Sequence, residues 1–198
     1  MKTNDIKQIP NPSSYEVKRY LSKWDSLESY VSQEQALNKL FHDVCPKNSD
    51  IRDILLKCSV LNDFYSTNIY SIFPVAKHIL KLKIDNRLMD GDLSLVNDIA
   101  VIEIGGKTKT FYSFASKYCS HHNSKAYAIY DSYVEKCLVY FNKIDKFSDF
   151  RRQDLRNYKT FNKALIDFKH HYGLDEYGLK EIDQYLWQLG KEHFPNNY

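Results

Sequence analysis

Glycine and proline are scarce in this chain, six and five among 198 residues, so little interrupts its helical periodicity. No run of about 18 consecutive apolar residues occurs, which excludes a membrane-spanning helix. The four cysteines, Cys45, Cys58, Cys119 and Cys137, are widely separated and form no CxxC pair. Reduced, mostly buried thiols are therefore expected rather than a disulfide framework or a zinc half-site. Neither a phosphate-binding Gly-rich loop nor a dinucleotide fingerprint is present, and no Ser or Cys catalytic triad is readable. The opening residues Met1-Lys2-Thr3-Asn4-Asp5 lack an apolar signal core, so a cytoplasmic location is expected. There is no internal repeat, low-complexity tract or domain-sized linker.

Aromatic residues, by contrast, are plentiful: 16 tyrosines and 11 phenylalanines. Most are expected in the core or at its edge, though such abundance also suits stacking on bases. The net charge is only +3, but it is unevenly spread. Between Lys107 and Lys169 there are 13 Lys and Arg against 6 Asp and Glu, which leaves the remainder mildly acidic. A basic segment of this kind is a footprint that fits nucleic acid, and it equally fits a solvated helical surface.

The apolar spacing predicts an all-α fold, compact and with two lobes around a cleft as one arrangement. Residues 1–12 read as a flexible arm ending in Pro10-Asn11-Pro12, and residues 13–198 as a single helical domain. Ser13 or Ser14 is placed to cap a helix carrying Val17, Tyr20, Leu21 and Trp24. Further helices fit Leu27 to Val44, ended by Pro46, and Asp50 to Tyr65. One from Ile69 to Leu82 takes Pro74 as a kink or in its first turn. Asp92 precedes a short helix through Ala100, while Ile99 to Ile104 also reads as a strand, and Gly105-Gly106 makes a turn. Helices are then expected from Thr110 to His121, from Ser132 onward, over Gln153 to Tyr172, and over Leu179 to Phe194. Ser132 and Glu135 have capping-box spacing, which sets Asp131 just outside that helix.

Two residues stand out for chemistry. Winding 111–120 as a helix puts Phe111, Phe114, Ala115 and Tyr118 on one face and Lys117 beside it, among Ser113, Ser116 and Ser120. Small neighbours permit close approach of a ligand to the amine, although a lysine at a core boundary commonly just reaches to water. Asp131, at a helix N-terminus, is accounted for by the free N–H groups and the dipole there. That setting also favours the charged carboxylate that a cationic sugar transition state requires.

Ser116-Lys117 followed by Ala128-Ile129-Tyr130-Asp131-Ser132 resembles the helix–hairpin–helix DNA glycosylase superfamily, most closely prokaryotic 8-oxoguanine DNA glycosylase-like proteins. Weaker echoes are Leu61-Asn62-Asp63-Phe64-Tyr65-Ser66-Thr67 and Tyr185-Leu186-Trp187-Gln188-Leu189-Gly190. The resemblance implies a base-excision repair glycosylase with lyase activity on an oxidised purine. In it Lys117 is the Schiff-base nucleophile and Asp131 its carboxylate partner. Lys107, Lys109, Lys125 and His121 are implied as contacts to double-stranded DNA carrying a damaged base, with no cofactor and no obligate protein partner. Ala128 stands where that group has proline. Gly105-Gly106 lies well before Lys117, and the Lys117–Asp131 interval is shorter than the superfamily's. Lys107, directly after the glycines, is the alternative nucleophile.

Cys119, His121 and His122 do not have a recognised zinc spacing. His121 and His122 are expected to end a helix or to touch phosphate, and His170-His171 to end another. Trp187 reads as core, while Asn62 and Tyr65 fit either the cleft or ordinary packing. Two other functional classes fit the sequence: a catalytically silent nucleic-acid-binding helical domain, and an intracellular helical interaction protein in which Asp131 only caps a helix.

Overall fold

The computed structural model describes residues 9–194. The first eight residues of the expected arm and the last four of the expected domain lie outside that range. At the described end of the expected arm Pro12 is buried and Ile9 packs on the core.

Helix α1 (Ser14–Trp24) is capped by Ser13, whose hydroxyl accepts the Glu16 N–H. Helix α2 (Glu28–Asn38) buries only Leu37 and runs into a π-helical turn, Lys39–Val44, closed just before Pro46. Helix α3 (Ile51–Phe64) starts at the Asp50 cap. Helix α4 (Ile72–Leu82) holds Pro74 in its first turn, where the missing N–H has no helical partner to lose. It starts later than its sequence period indicates because Ile69 is fastened elsewhere, to Asn62. Short helices α5 (Asp85–Met89) and α6 (Ser94–Ala100) follow.

The ambiguous run at Ile99 resolves into both of its readings in succession. Helix α6 ends at Ala100, and strand β1 (Val101–Ile104) pairs antiparallel with β2 (Lys107–Thr110). Gly105 and Gly106 both take left-handed backbone at the turn, which glycine adopts without a Cβ penalty. Because Thr110 pairs with Val101, the next helix cannot begin there, and α7 spans Tyr112–His122.

Helix α7 is the central element: nine of its eleven residues are buried, from Tyr112 and Phe114 through His121. The expected single apolar face is therefore too narrow a description. Helices α3 and α6 and the π turn all pack on α7, so Ser116, Lys117, Ser120 and His121 also lie inside.

Helix α8 (Ser132–Asp145) leads to a 3-10 turn, Arg152–Arg156, then α9 (Tyr158–His171) and α10 (Leu179–His193). The single helix expected over Gln153–Tyr172 is broken at Asn157. That residue is extended, and its side chain accepts the Lys159 and Thr160 N–H groups as a cap. Among the described residues no helix is long and apolar enough to cross a membrane.

Helix α10 closes the structure by packing on α1 and α8. Gly190 permits that approach: a Cβ there would lie 2.7 Å from both the Cβ and the carbonyl oxygen of Tyr133. Gly190→Ala should destabilise the fold by about 1–3 kcal/mol through this overpacking. The denaturation midpoint should fall accordingly, and an unchanged midpoint would show that α8 and α10 separate without cost.

A buried lysine with two acidic neighbours as the candidate active site

Lys117 lies in the middle of α7, only 3% exposed. Its amine donates to the Ser113 hydroxyl at 2.6 Å and to the Tyr130 carbonyl at 3.3 Å. The Asp131 carboxylate stands 3.8 Å away, and the Tyr65 ring centroid 5.1 Å away. The structure thus brings together the two residues singled out as catalytic. The chain turns back after α7, where the Ala126 and Tyr127 N–H groups bond to the Asn123 carbonyl. Residues 128–131 then return along α7: the Tyr130 N–H donates to Ser116 Oγ, and the Ala128 carbonyl accepts from Tyr158. This return explains how a short interval in sequence still delivers Asp131 to Lys117.

The capping box expected from Ser132 and Glu135 does not form. Asp131 is itself the N-cap: its backbone is extended and its Oδ1 accepts the Tyr133 N–H at 2.9 Å, while Ser132 is already helical. Glu135 turns inward instead, accepting from the Tyr130 hydroxyl and from Arg152 at 2.6 Å, with Arg156 at 3.8 Å.

A third ionisable group is one that sequence reasoning missed. Asp183, on the buried face of α10, interacts electrostatically with both Lys117 and Asp131, and its Oδ1 is buried without a hydrogen-bond partner. Burial pushes its carboxyl well above the usual range, and repulsion from Asp131 adds to this while Lys117 opposes it. Burial likewise lowers the Lys117 amine below its ordinary value, against the attraction of Asp131 and Asp183. A lysine shifted this way has a larger share of the neutral, nucleophilic form. The available signal was an acidic residue among Ile182, Tyr185, Leu186 and Leu189, on what reads as an apolar stripe.

Beside this cluster opens a cleft of about 340 Å³, whose lining includes Thr67, Thr110, Phe111, Ser113, Tyr130 and Arg156. Ser113 and Tyr130 are the groups that the Lys117 amine bonds, so the cleft wall and the amine's ligands are the same residues. Arg156 lies over the Tyr130 ring at 5.3 Å and gives the cleft a cationic edge.

The other expected contacts are dispersed. Lys107 and Lys109 are exposed on β2, and Lys125 is exposed in the turn after α7. It is Lys117, not Lys107, that pairs with Asp131. His121 does not face solvent: it is buried, and its Nε2 lies 2.9 Å from the Tyr65 hydroxyl, because α7 is enclosed up to its last turn. His122 bonds instead to Asn48 and Lys57. Trp187 is half-buried against Trp24 and Tyr30, and His170 pairs with Asp175 beyond the end of α9.

Comparison with known proteins adds a family. A protein of Haemophilus influenzae (strain ATCC 51907 / DSM 11121 / KW20 / Rd), described as an uncharacterized protein, is 55% identical over 148 residues, or 74% of this chain and 71% of the relative. No solved structure matches. Residues 16–126, which include Lys117 and stop short of Asp131, match the family described as HI_0787_N, N-terminal domain. With more than half its length so matched, the chain belongs to the HI_0787_N family.

Proposed function

We propose that this protein is a DNA base-excision glycosylase with AP-lyase activity, acting on an oxidised purine through a Schiff base at Lys117. The observation that carries the reading is a buried, pKa-lowered amine 3.8 Å from an N-cap carboxylate, behind the wall of an open cleft. A helix–hairpin–helix glycosylase type of fold belongs to the same proposal.

The damaged nucleotide leaves the base stack and enters the cleft, at a cost of a few kcal/mol. The neutral Lys117 amine, reached past the Ser113 hydroxyl, attacks the sugar C1′. The C1′–N bond breaks, and the base departs with its bonding electron pair, taking up a proton that Asp131 relays from the amine. Asp131 stabilises the developing positive charge on the sugar and receives the proton lost by the amine. The C1′–O4′ bond then opens as the nitrogen lone pair forms C1′=N, with O4′ taking a proton from solvent; the iminium gives its C2′ proton to solvent, and the C3′–O bond breaks with its electron pair leaving on the 3′ phosphate, which nicks the strand. Arg156, Lys107, Lys109 and Lys125 are assigned to phosphates of the duplex.

The full burial of Lys117 supports a second reading, a DNA-binding helical domain whose amine never reacts. Borohydride reduction on duplexes carrying 8-oxoguanine and a small lesion panel separates the two. The glycosylase reading expects a covalent protein–DNA band that is lost in Lys117→Ala. Salt-sensitive binding without that band would favour the silent domain, and neither signal would leave a helical protein with another kind of partner.

A further inference from the structure

We propose that Glu135 is a positioning residue of the candidate site: a buried carboxylate that locks Tyr130, and through Tyr130 the cradle of the Lys117 amine. The inference rests on the reading of Lys117 as the reacting amine.

Glu135 is 2% exposed, although a glutamate in the first turn of a helix is well served in water beside the free N–H groups. Burying a carboxylate is costly unless cations and hydrogen-bond donors meet it. Here both oxygens are met. Oε1 accepts from Arg152 Nε at 2.6 Å, and Oε2 accepts from the Tyr130 hydroxyl with an Arg156 nitrogen at 3.8 Å. Both arginines are exposed, so the balancing charge comes from the surface while the bond to Tyr130 is interior. Burial and the bond to Glu135 push the Tyr130 phenol above its ordinary value, which keeps it a donor.

Every polar group of Tyr130 is engaged. Its N–H donates to Ser116 Oγ at 3.0 Å, and its carbonyl accepts from Ser113 Oγ at 3.1 Å and from Lys117 Nζ at 3.3 Å. Its ring meets Tyr112 and Phe161 at 4.5 and 5.3 Å between centroids. The next residue in the chain is Asp131, whose carboxylate faces the same amine. Movement of the phenol is therefore passed both to the amine's acceptor and to its acidic neighbour. Glu135 does not line the cleft; its part is to hold, not to react.

Trace acetylation with acetic anhydride, read lysine by lysine by mass spectrometry, tests this role without DNA. Lys57 is the internal control, because it is buried like Lys117 but bonded to Lys47 and Asn48. Tyr130→Phe and Glu135→Ala should each raise the rate at Lys117 by about tenfold, the scale of one lost buried hydrogen bond, and leave Lys57 unchanged. Glu135→Gln, whose amide can still bond the phenol, should keep Lys117 protected. A Lys117 rate unchanged by Tyr130→Phe would overturn the role, and that variant decides if Glu135→Ala does not fold. A matching rise at Lys57 would also overturn it, since the whole fold would then have loosened. A selective rise at Lys117 with no borohydride adduct on any lesion would remove the glycosylase reading and leave Glu135 as the holder of the amine.

Discussion

Asp131→Asn is expected to leave stability nearly unchanged while lowering lesion excision by about 10²–10⁴-fold, the range for loss of a positioned acid–base group. The separation is possible because the residue has two roles on two oxygens. Oδ1 accepts the Tyr133 N–H as a helix cap, and Oδ2 faces the Lys117 amine. Asparagine caps helices about as well as aspartate, so the α8 N-terminus keeps its bond. The charge opposite the amine is lost, and with it the stabilisation of a cationic sugar. Asp131→Ala should lose the cap as well and be less stable by about 1 kcal/mol. Single-turnover excision and denaturation midpoints for the two variants give the comparison. Full activity in Asp131→Asn would make Asp131 a cap and nothing more.

The second large effect is loss of stability in acid. Burial lowers the pKa of His121 to about 3 and that of His122 to about 2 from an ordinary 6.5. His122 Nε2 faces two donors, the Asn48 amide nitrogen and the Lys57 ammonium, so that nitrogen is an acceptor and the ring is neutral. Lys57 is itself fully buried, donates also to Lys47 O and Asn48 Oδ1, and is lowered to about 8 chiefly by desolvation. A proton on His122 would set a second cation against it. Below pH 6.5 the unfolded chain binds protons that the folded chain refuses. The stability these two residues contribute is therefore present above pH 6.5 and lost as pH falls towards 3 and 2.

Each histidine accounts for a slope of about 1.4 kcal/mol per pH unit once its unfolded form is protonated. Together they remove on the order of 5 kcal/mol between pH 7 and 4.5, comparable to the whole stability of many domains. Asp183 acts in the opposite sense: its raised carboxyl holds a proton in the folded state that the unfolded state has released above about pH 4. The clean readout is the slope of unfolding free energy against pH. It should fall by about one proton in each of His121→Phe and His122→Gln. An unaltered slope in both would mean that the buried rings accept protons in place.

The helical class, the place of Lys117 in α7 and the cap position of Asp131 were legible because periodicity and caps are local features, while the pairing of the two was implied by the resemblance alone. Val17, Tyr20, Ile54, Cys58 and Leu61 fall inside as their spacing requires. What escaped was set by enclosure. Helix α7 carries a polar face by sequence, yet elements distant in the chain surround it, so Ser116, Lys117 and His121 are interior and His121 meets Tyr65 rather than phosphate. Glu135 had the spacing of a capping box, but Tyr130 and Arg152 offered it a better partnership across the chain. Asp183 is marked locally only as an acid on an apolar stripe, and its meeting with Lys117 and Asp131, like the joining of Asp85 to Asn48 and Lys57, depends on contacts between segments far apart.

The most direct test of the account is the identity of the amine in the borohydride-reduced adduct. Peptide mapping by mass spectrometry, after trapping on a lesion-bearing duplex and nuclease digestion, reads it residue by residue. The account predicts a reduced sugar remnant on the peptide containing Lys117. A remnant on Lys107, Lys109 or Lys125, or no adduct on any lesion, would contradict it.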